Sequence, residues 1–404
     1  MIYQLELENF YAIRERQVID LRVAAKVPPE PHRFGPIYTG SPERVPKVVA
    51  VFGANGSGKT TVLRALAFLV WFIRDSFHLK PEAPLPLEPF RSAESQAQVT
   101  RLAVSLGGPT NLEGLNGSAT THGIYRYELQ IAHRLGRSSA VISESLTHRL
   151  HGGRKPYRIF LRTGDGKVVP GKSFSLTKYG SVVDKIRSNA SVISTLAQFG
   201  HAPALALRDA AQSVTTNILI FKQEYTDAQV LEIYAGRPQL LEALNREIPR
   251  IDTGARQMHV LARPQGPLLE FDHEGLSYPV PWLLESHGTQ SFVRSFPLLW
   301  QPLANGGVAV IDELDASLHP LLLPEIARWF YDPRRNPSNA QLWLTCQNAS
   351  FLEELAKEEV LFCEKDNFGR SRVYGLQDIK YVRRVDNFYR KYLSGTYGAV
   401  PNIG

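Results

Sequence analysis

The stretch Lys47–Thr61, KVVAVFGANGSGKTT, limits what this chain can fold into more than any other. Its apolar run from Val48 to Phe52 reads as a buried strand, and it feeds directly into Gly53-Ala54-Asn55-Gly56-Ser57-Gly58-Lys59-Thr60, a complete G-x-x-x-x-G-K-[ST] motif. The glycines let the backbone curl with its N–H groups facing inward. Thr60 to Arg74, rich in Ala, Leu, Val and Phe, then opens a helix whose positive end points at the same spot. Strand, loop and helix in that order make a P-loop, a cradle for phosphates. Gly53 to Thr61 is expected to line ATP, with Lys59 reaching the β- and γ-phosphates and the Thr60 hydroxyl on Mg²⁺.

Far along the chain, Gly306-Gly307-Val308-Ala309-Val310-Ile311-Asp312-Glu313 is a short apolar strand ending in two carboxylates, the form of a Walker B segment. Asp312 is expected to hold Mg²⁺ through its water shell and Glu313 to orient or deprotonate an attacking water. Such a carboxylate belongs on a strand neighbouring the P-loop strand. About 250 residues separate Lys59 from Asp312, more than a compact P-loop domain needs, so a second lobe is expected between them. The chain divides into an N-terminal ATPase lobe (1–165, P-loop and antiparallel β-subdomain), an inserted mainly helical lobe (166–280) and a C-terminal ATPase half (281–404).

A 404-residue chain that is 43% hydrophobic and 21% charged is an ordinary globular protein with room for two lobes. It has no apolar run of membrane-spanning length, and the N-terminus MIYQLELENF shows no export leader, so a cytoplasmic protein is expected. Cys346 and Cys363 fall in predicted strands and read as packing residues. The net charge of +7 is uneven. Residues 131–190 hold 12 Lys/Arg against Glu144, Asp165 and Asp184, which puts +9 there and −2 elsewhere. That is either a surface for nucleic acid or another acidic partner, or a solvated face.

Ile2 to Phe10 and Gln17 to Val23 read as an antiparallel hairpin, and Val27 to Pro46 as a loop. Val99–Leu106, Ile124–Ala132, Ala140–Ser145 and Arg158–Leu161 look like successive strands of an antiparallel sheet, with Gln96 or Gln130 as a candidate Mg²⁺-touching glutamine. Val182–Gln198, Ala202–Ala211, Thr226–Tyr234 and Leu240–Ile248 suggest helices, and residues 256–280 a return to strands. Leu314–Pro320 is expected to begin a helix in which His319 faces the site or caps the helix. Gln341–Thr345, Val360–Glu364 and Ser371–Leu376 read as strands, and Tyr381–Leu393 as a basic helix.

Ser286-His287-Gly288-Thr289-Gln290, shortly before the Walker B segment, resembles the signature motif of ABC-type ATPases. The resemblance implies that Ser286, Gly288 and Thr289, with a helix N-terminus, serve ATP held by a partner subunit, and that Asp315 lies in a D-loop crossing to that partner. With the P-loop, this signature, IDELDASLHP and the closing YGAVP together, the chain resembles RloA/AbiL-type ATPases of bacterial anti-phage and abortive-infection systems. These are relatives of the ATPase domain of overcoming-lysogenization-defect nucleases and of the PARIS ATPase. The resemblance implies an α/β fold, an ABC/SMC/RecF-like P-loop ATPase head, and a homodimer or higher oligomer sandwiching ATP. It also implies a Toprim-like nuclease effector in trans, since the residues after the Walker B segment are too few for one and lack its acidic cluster. A nucleic acid or phage protein would be the trigger, with no membrane involved. One departure stands out: where the family commonly places a histidine in T-[TS]-H-N, this chain has Thr345-Cys346-Gln347-Asn348. Gln347 can donate a hydrogen bond to phosphate but cannot carry positive charge, so slow ATP hydrolysis is expected. A nucleotide-gated scaffold and a RecF/SMC-like DNA repair ATPase are the other two readings.

Overall fold

The computed structural model describes residues 1–109, 122–134, 137–251, 254–261, 268–316 and 318–401. Ser317 and the side chains of Arg134 and Arg137, which the sequence reading touched, lie outside the described residues.

Three strands whose every residue is buried set the architecture: Val48–Phe52, Val308–Ile311 and Gln341–Thr345. Continuous burial is the mark of parallel strands covered on both faces. They belong to a six-stranded sheet ordered Val214–Thr216, Val308–Ile311, Gln341–Thr345, Val48–Phe52, Val360–Lys365, Ser371–Gly375, of which only the last runs antiparallel to its neighbour. The period of two along each strand sorts its side chains into two cores. Val49, Val51, Val308, Val310 and Trp343 join one core with the P-loop helix Lys59–Asp75. Val48, Ala50, Phe52, Ala309, Ile311, Leu342 and Leu344 join the other, with the helices His287–Asn305 and Leu322–Tyr331.

The sequence places the Walker B strand beside the P-loop strand, and the structure corrects this. Gln341–Thr345 lies between them, with Leu344 opposite Ile311 on one side and Ala50 on the other. The interposed strand brings Thr345 to the same carboxyl-terminal edge as Gly53 and Asp312, the edge where open parallel sheets bind ligands.

A seven-stranded antiparallel sheet shares the P-loop helix's core, in the order Val168–Pro170, Tyr157–Arg162, Arg137–Leu150, His122–Arg134, Thr100–Pro109, Ile2–Glu8, Gln17–Asp20. The expected N-terminal hairpin is its outer pair. Glu144 and Arg162, both buried in this sheet, hold it to the helix Val192–Gln198: Glu144 accepts from the backbone N–H of Val192 and from the Tyr127 hydroxyl.

Residues 166–280 do not stand apart as a lobe. Val214–Thr216 is the edge strand of the core sheet, and the helices Val192–Gln198 and Ala202–Gln212 pack into the P-loop helix's core, because their apolar faces have no other cover. Among the described residues of this segment, Asp227–Ala235, Pro238–Glu247 and the small sheet Ala255–Leu261, Leu268–His273, Val280–Pro281 lie on the second core. Three helix boundaries also differ. The chain after Walker B turns first, because Glu313 takes φ 51, which a helix cannot accept, and the helix begins at Leu322. Val182–Gln198 breaks into Gly180–Val183 and Val192–Gln198, the second capped by Ser191 accepting from Ser194 N–H. The basic C-terminal helix is only Phe388–Leu393. The loop 27–46 contains a short hairpin, Phe34–Pro36 with Arg44–Pro46. Among the described residues no helix is long and apolar enough to cross a membrane.

Candidate nucleotide-binding site

The P-loop curls through three positive-φ glycines, Gly53 (148°), Gly56 (74°) and Gly58 (105°). Two of them are also places where nothing larger fits: a Cβ on Gly53 would lie 2.3 Å from the Cys363 carbonyl oxygen, and one on Gly58 2.6 Å from Ser371 Oγ. The closing YGAVP segment backs the loop. The Ala54 N–H donates to the Ala399 carbonyl at 3.1 Å, and that segment is itself held by Tyr374 and Tyr392 hydroxyls donating to the carbonyls of Tyr397 and Ala399. The loop opens on a cavity of about 230 Å³ lined by Ala12, Asn55, Gly56, Ser57, Gly58, Lys59, Thr60, Thr61, Glu313, Thr345 and Gln347. Gly53 and Ala54 support it from behind.

Lys59 Nζ donates to the carbonyls of Gly53 and Ala54 at 2.8 and 3.1 Å, so its own loop holds it ready. Burial pulls its ammonium below the ordinary lysine value, while the negative groups nearby, including Asp312, Glu313 and Asp315, push the other way. The Thr60 hydroxyl donates to Asp312, 3.0 and 3.1 Å from its two oxygens, and the Thr345 hydroxyl donates to Asp312 Oδ1 at 2.8 Å. Segments 252 positions apart are thus joined at one point. Among the described residues no Lys or Arg pairs with Asp312, and no cluster of three metal-ligating side chains occurs. A hydroxyl and one carboxylate at a phosphate cradle suit Mg²⁺, which keeps much of its water and takes substrate phosphates as further ligands. The donor set therefore fits Mg-ATP, Thr60 and Asp312 being the residues that would hold the ion; it would neutralise phosphate charge.

Glu313 borders the same cavity. Its N–H donates to Thr345 Oγ1 at 2.7 Å, one carboxylate oxygen receives the Gln347 amide at 3.4 Å, and the other lies 3.3 Å from Lys222 Nζ. The sequence-predicted Glu313 and Gln347 are therefore brought together beside the P-loop. Asp315 is used within its own chain: its Oδ2 accepts from the N–H groups of Gln347 and Asn348 at 2.8 and 2.7 Å, fixing the turn that carries Gln347. The signature residues lie elsewhere. Ser286 caps the helix His287–Asn305, its hydroxyl accepting from Thr289 N–H at 3.1 Å, and none of Ser286, Gly288 and Thr289 lines the cavity. Gln96 and Gln130 are not at the cavity either; Gln130 donates to Glu128 along its own strand. His319 is exposed and accepts from Leu321 N–H, a local turn contact.

Asn217 adjoins the site without any motif to announce it. Its side chain brackets the backbone of Asp312, donating to the carbonyl at 2.9 Å and accepting from the N–H at 2.8 Å. Lys222, Ala12 and Ser371 adjoin it as well. None sits in a motif, and the pairing of Val214–Thr216 with the Walker B strand is what brings Asn217 and Lys222, just after it, to the site.

Fold and site together define a P-loop nucleotide-binding protein with an ABC/AAA-type core and an added antiparallel sheet. The family model described as AAA domain, putative AbiEii toxin, Type IV TA system matches residues 48–99 and 196–352, just over half of the chain. The protein belongs to that family. The first matched block carries the P-loop and the second runs past Ser286, Asp312 and Gln347, while five of the seven strands of the antiparallel sheet fall in the gap between them and the other two precede the first block. No curated protein matches the sequence. Similar solved structures include the SMC head bound to the C-terminal winged-helix domain of ScpA (12% identity, TM-score 0.45, 93% of this chain and 97% of that one). The SMC head domain from Thermotoga maritima (16%, 0.40, 93% and 98%) is another. A third is the SMC head with an extended coiled coil bound to the C-terminal domain of ScpA from Pyrococcus furiosus (12%, 0.42, 93% and 96%).

Proposed function

We propose that the protein binds and slowly hydrolyses Mg-ATP, and that it does so as a homodimer in which the Ser286–Thr289 segment of one subunit completes the site of the other. The observation that carries this reading is the convergence of Thr60, Thr345 and Asp312 on one point, with Glu313 and Gln347 beside it at the P-loop mouth. Lys59 and the loop amides supply positive charge to the phosphates, Glu313 accepts the proton of the attacking water, and Gln347 contributes a neutral donor where a charged one would speed the step. The signature residues stand outside the cavity of their own chain, which suits a role across a dimer interface. The family's name, that of a putative abortive-infection toxin, supports a place in anti-phage defence. Sensing of infection and control of a Toprim-like nuclease in trans rest on the sequence resemblance alone.

Turnover and nucleotide retention measured on the same preparations test the reading. Glu313→Gln is expected to retain ATP and to lose phosphate release by roughly 100-fold or more. Lys59→Ala is expected to weaken ATP binding roughly 10- to 100-fold, the worth of a charge-assisted contact. Undiminished phosphate release by Glu313→Gln would remove that residue from its role.

A second reading has one observation of its own. Arg154, Lys155, Arg158, Lys167 and Lys172 are exposed on or beside the last two strands at one edge of the antiparallel sheet, Lys178 and Lys185 are exposed around the short helix that follows, and among the described residues none is ion-paired. Arg162 and Arg187 of the same basic segment are different, the first buried against Glu144, the second donating to the Phe77 and Leu79 carbonyls. A free cationic edge suits a nucleic-acid trigger, and salt-dependent binding to duplex DNA is its test.

A further inference from the structure

We propose that Lys222 is a positioning residue for Glu313, and that the segment Asn217–Asp227 is a strap tying this residue to the signature helix. The inference rests on the reading of Glu313 as the water-activating carboxylate. Both oxygens of Glu313 are engaged, but unequally. Gln347, in the cavity wall, holds Oε1 at 3.4 Å; Lys222, on the opposite side, holds Oε2 at 3.3 Å. A base must free one oxygen for water, and Gln347 is the partner that can turn its amide to a phosphate. Lys222 does not line the cavity, and its one other carboxylate, Glu224 of its own strap, is farther off at 3.7 Å, so it keeps its Glu313 oxygen and with it the direction of the other.

The strap is built to hold Lys222 there. The side chain of Asn217 is locked to the Asp312 backbone in both directions, Ile218 and Lys222 pair as an antiparallel bridge, and the Gln223 N–H closes the turn on the Asn217 carbonyl. At its other end Arg294, on the helix capped by Ser286, donates to the Tyr225 carbonyl at 3.2 Å and to Asp227 at 2.7 Å while lying over the Trp282 ring. A displacement of the signature helix is thereby passed to the ammonium that aims Glu313. The Lys222–Glu313 pair is a third exposed on both sides, where ion pairs add little to stability, so stability does not account for so much anchoring.

The test compares Lys222→Ala and Lys222→Arg with wild type in turnover at saturating Mg-ATP, affinity for an ATP analogue, and thermal midpoint. Lys222→Ala is expected to lower kcat about tenfold, with the analogue's Kd within about twofold and the midpoint nearly unchanged. Lys222→Arg is expected to restore most of kcat. In a Glu313→Gln background, Lys222→Ala is expected to add no further loss. Unchanged kcat in Lys222→Ala, or a loss that appears equally in Kd and midpoint, overturns the positioning role while leaving the ATPase reading in place. Wild-type protein that binds the analogue and shows no turnover overturns the ATPase reading, and this role with it.

Discussion

Asp312 and Glu144 are both buried carboxylates, and the chain satisfies them in opposite ways. Glu144 faces a buried guanidinium, Arg162, and takes a phenol and a backbone N–H as further donors. Asp312 receives only the neutral hydroxyls of Thr60 and Thr345, with no Lys or Arg among the described residues in ion-pair contact. Burying a carboxylate is expensive unless a cation accompanies it. Glu144 has its cation inside the fold, which makes it a fixed joint between the antiparallel sheet and the helix Val192–Gln198. Asp312 lies directly behind Thr60 and Thr345, two residues that line the cavity at the P-loop, so a cation that reaches that cavity from solution would meet it through these hydroxyls. The contrast sets a carboxylate paired inside the fold against one whose donors are neutral, which is the ground for proposing Asp312 as a ligand-binding residue without appeal to any motif.

The largest effect that could break this comparison lies in the antiparallel sheet. Glu144→Ala leaves Arg162 buried and unpaired and is expected to cost about 3–5 kcal/mol, read as a fall in the urea midpoint. A loss below about 1 kcal/mol, the range of exposed pairs, would show that Glu144 is no anchor. Asp312→Asn breaks no ion pair among the described residues, the Lys59 ammonium beside it being held by the Gly53 and Ala54 carbonyls, so its effect on unfolding is expected to be small. Its signature is instead in the ligand: Mg²⁺ should strengthen ATP-analogue binding by wild type roughly 10- to 100-fold and that of Asp312→Asn hardly at all, in titrations with and without EDTA. If both proteins gain equally from Mg²⁺, Asp312 is not its ligand.

The same comparison explains what the sequence could disclose. The P-loop and the Walker B strand are local features: five buried residues and the loop they feed, or four and the carboxylates after them, announce themselves in one short window. The antiparallel sheet was also legible, since its strands alternate and are joined by turns. Glu144 and Arg162 looked like any other charges of a basic segment, because burial depends on which face of a strand is covered. Asn217 lies 95 positions from the Asp312 backbone it brackets, and Lys222 91 from Glu313. No spacing rule links such positions; the parallel pairing of Val214–Thr216 with the Walker B strand does, and that pairing was hidden in a segment read as helical. The position of the interposed strand Gln341–Thr345 was hidden for the same reason, since apolar runs do not disclose their order in a sheet.

The smallest effect is a pH slope. Burial pushes the Glu144 carboxyl up to about 7, against the lowering influence of Arg162, and Glu359 likewise to about 7 beside Arg33. A carboxyl whose value is higher folded than unfolded keeps its proton in the folded state over a window in which the unfolded chain has released it. For these two groups the window runs from the ordinary value of 4.5 to about 7. Their contribution to stability is complete below it, declines as pH rises through it, and levels off above. Each group adds a slope of at most about 1.4 kcal/mol per pH unit. The hydrogen-bonded carboxylates Glu6 and Asp20, held below their ordinary values with Arg126, Arg16 and Arg22 opposing burial, act oppositely and only at more acid pH. Burial holds His148 down to about 4 and His133 below its ordinary value, and these raise stability as pH rises through the same window, so the test is a difference: between pH 5 and 7 the urea midpoint of Glu144→Gln, which has no proton to lose, is expected to shift upward with pH relative to wild type. Parallel slopes in the two proteins would mean that Glu144 is ionised throughout, its charge fully met by Arg162.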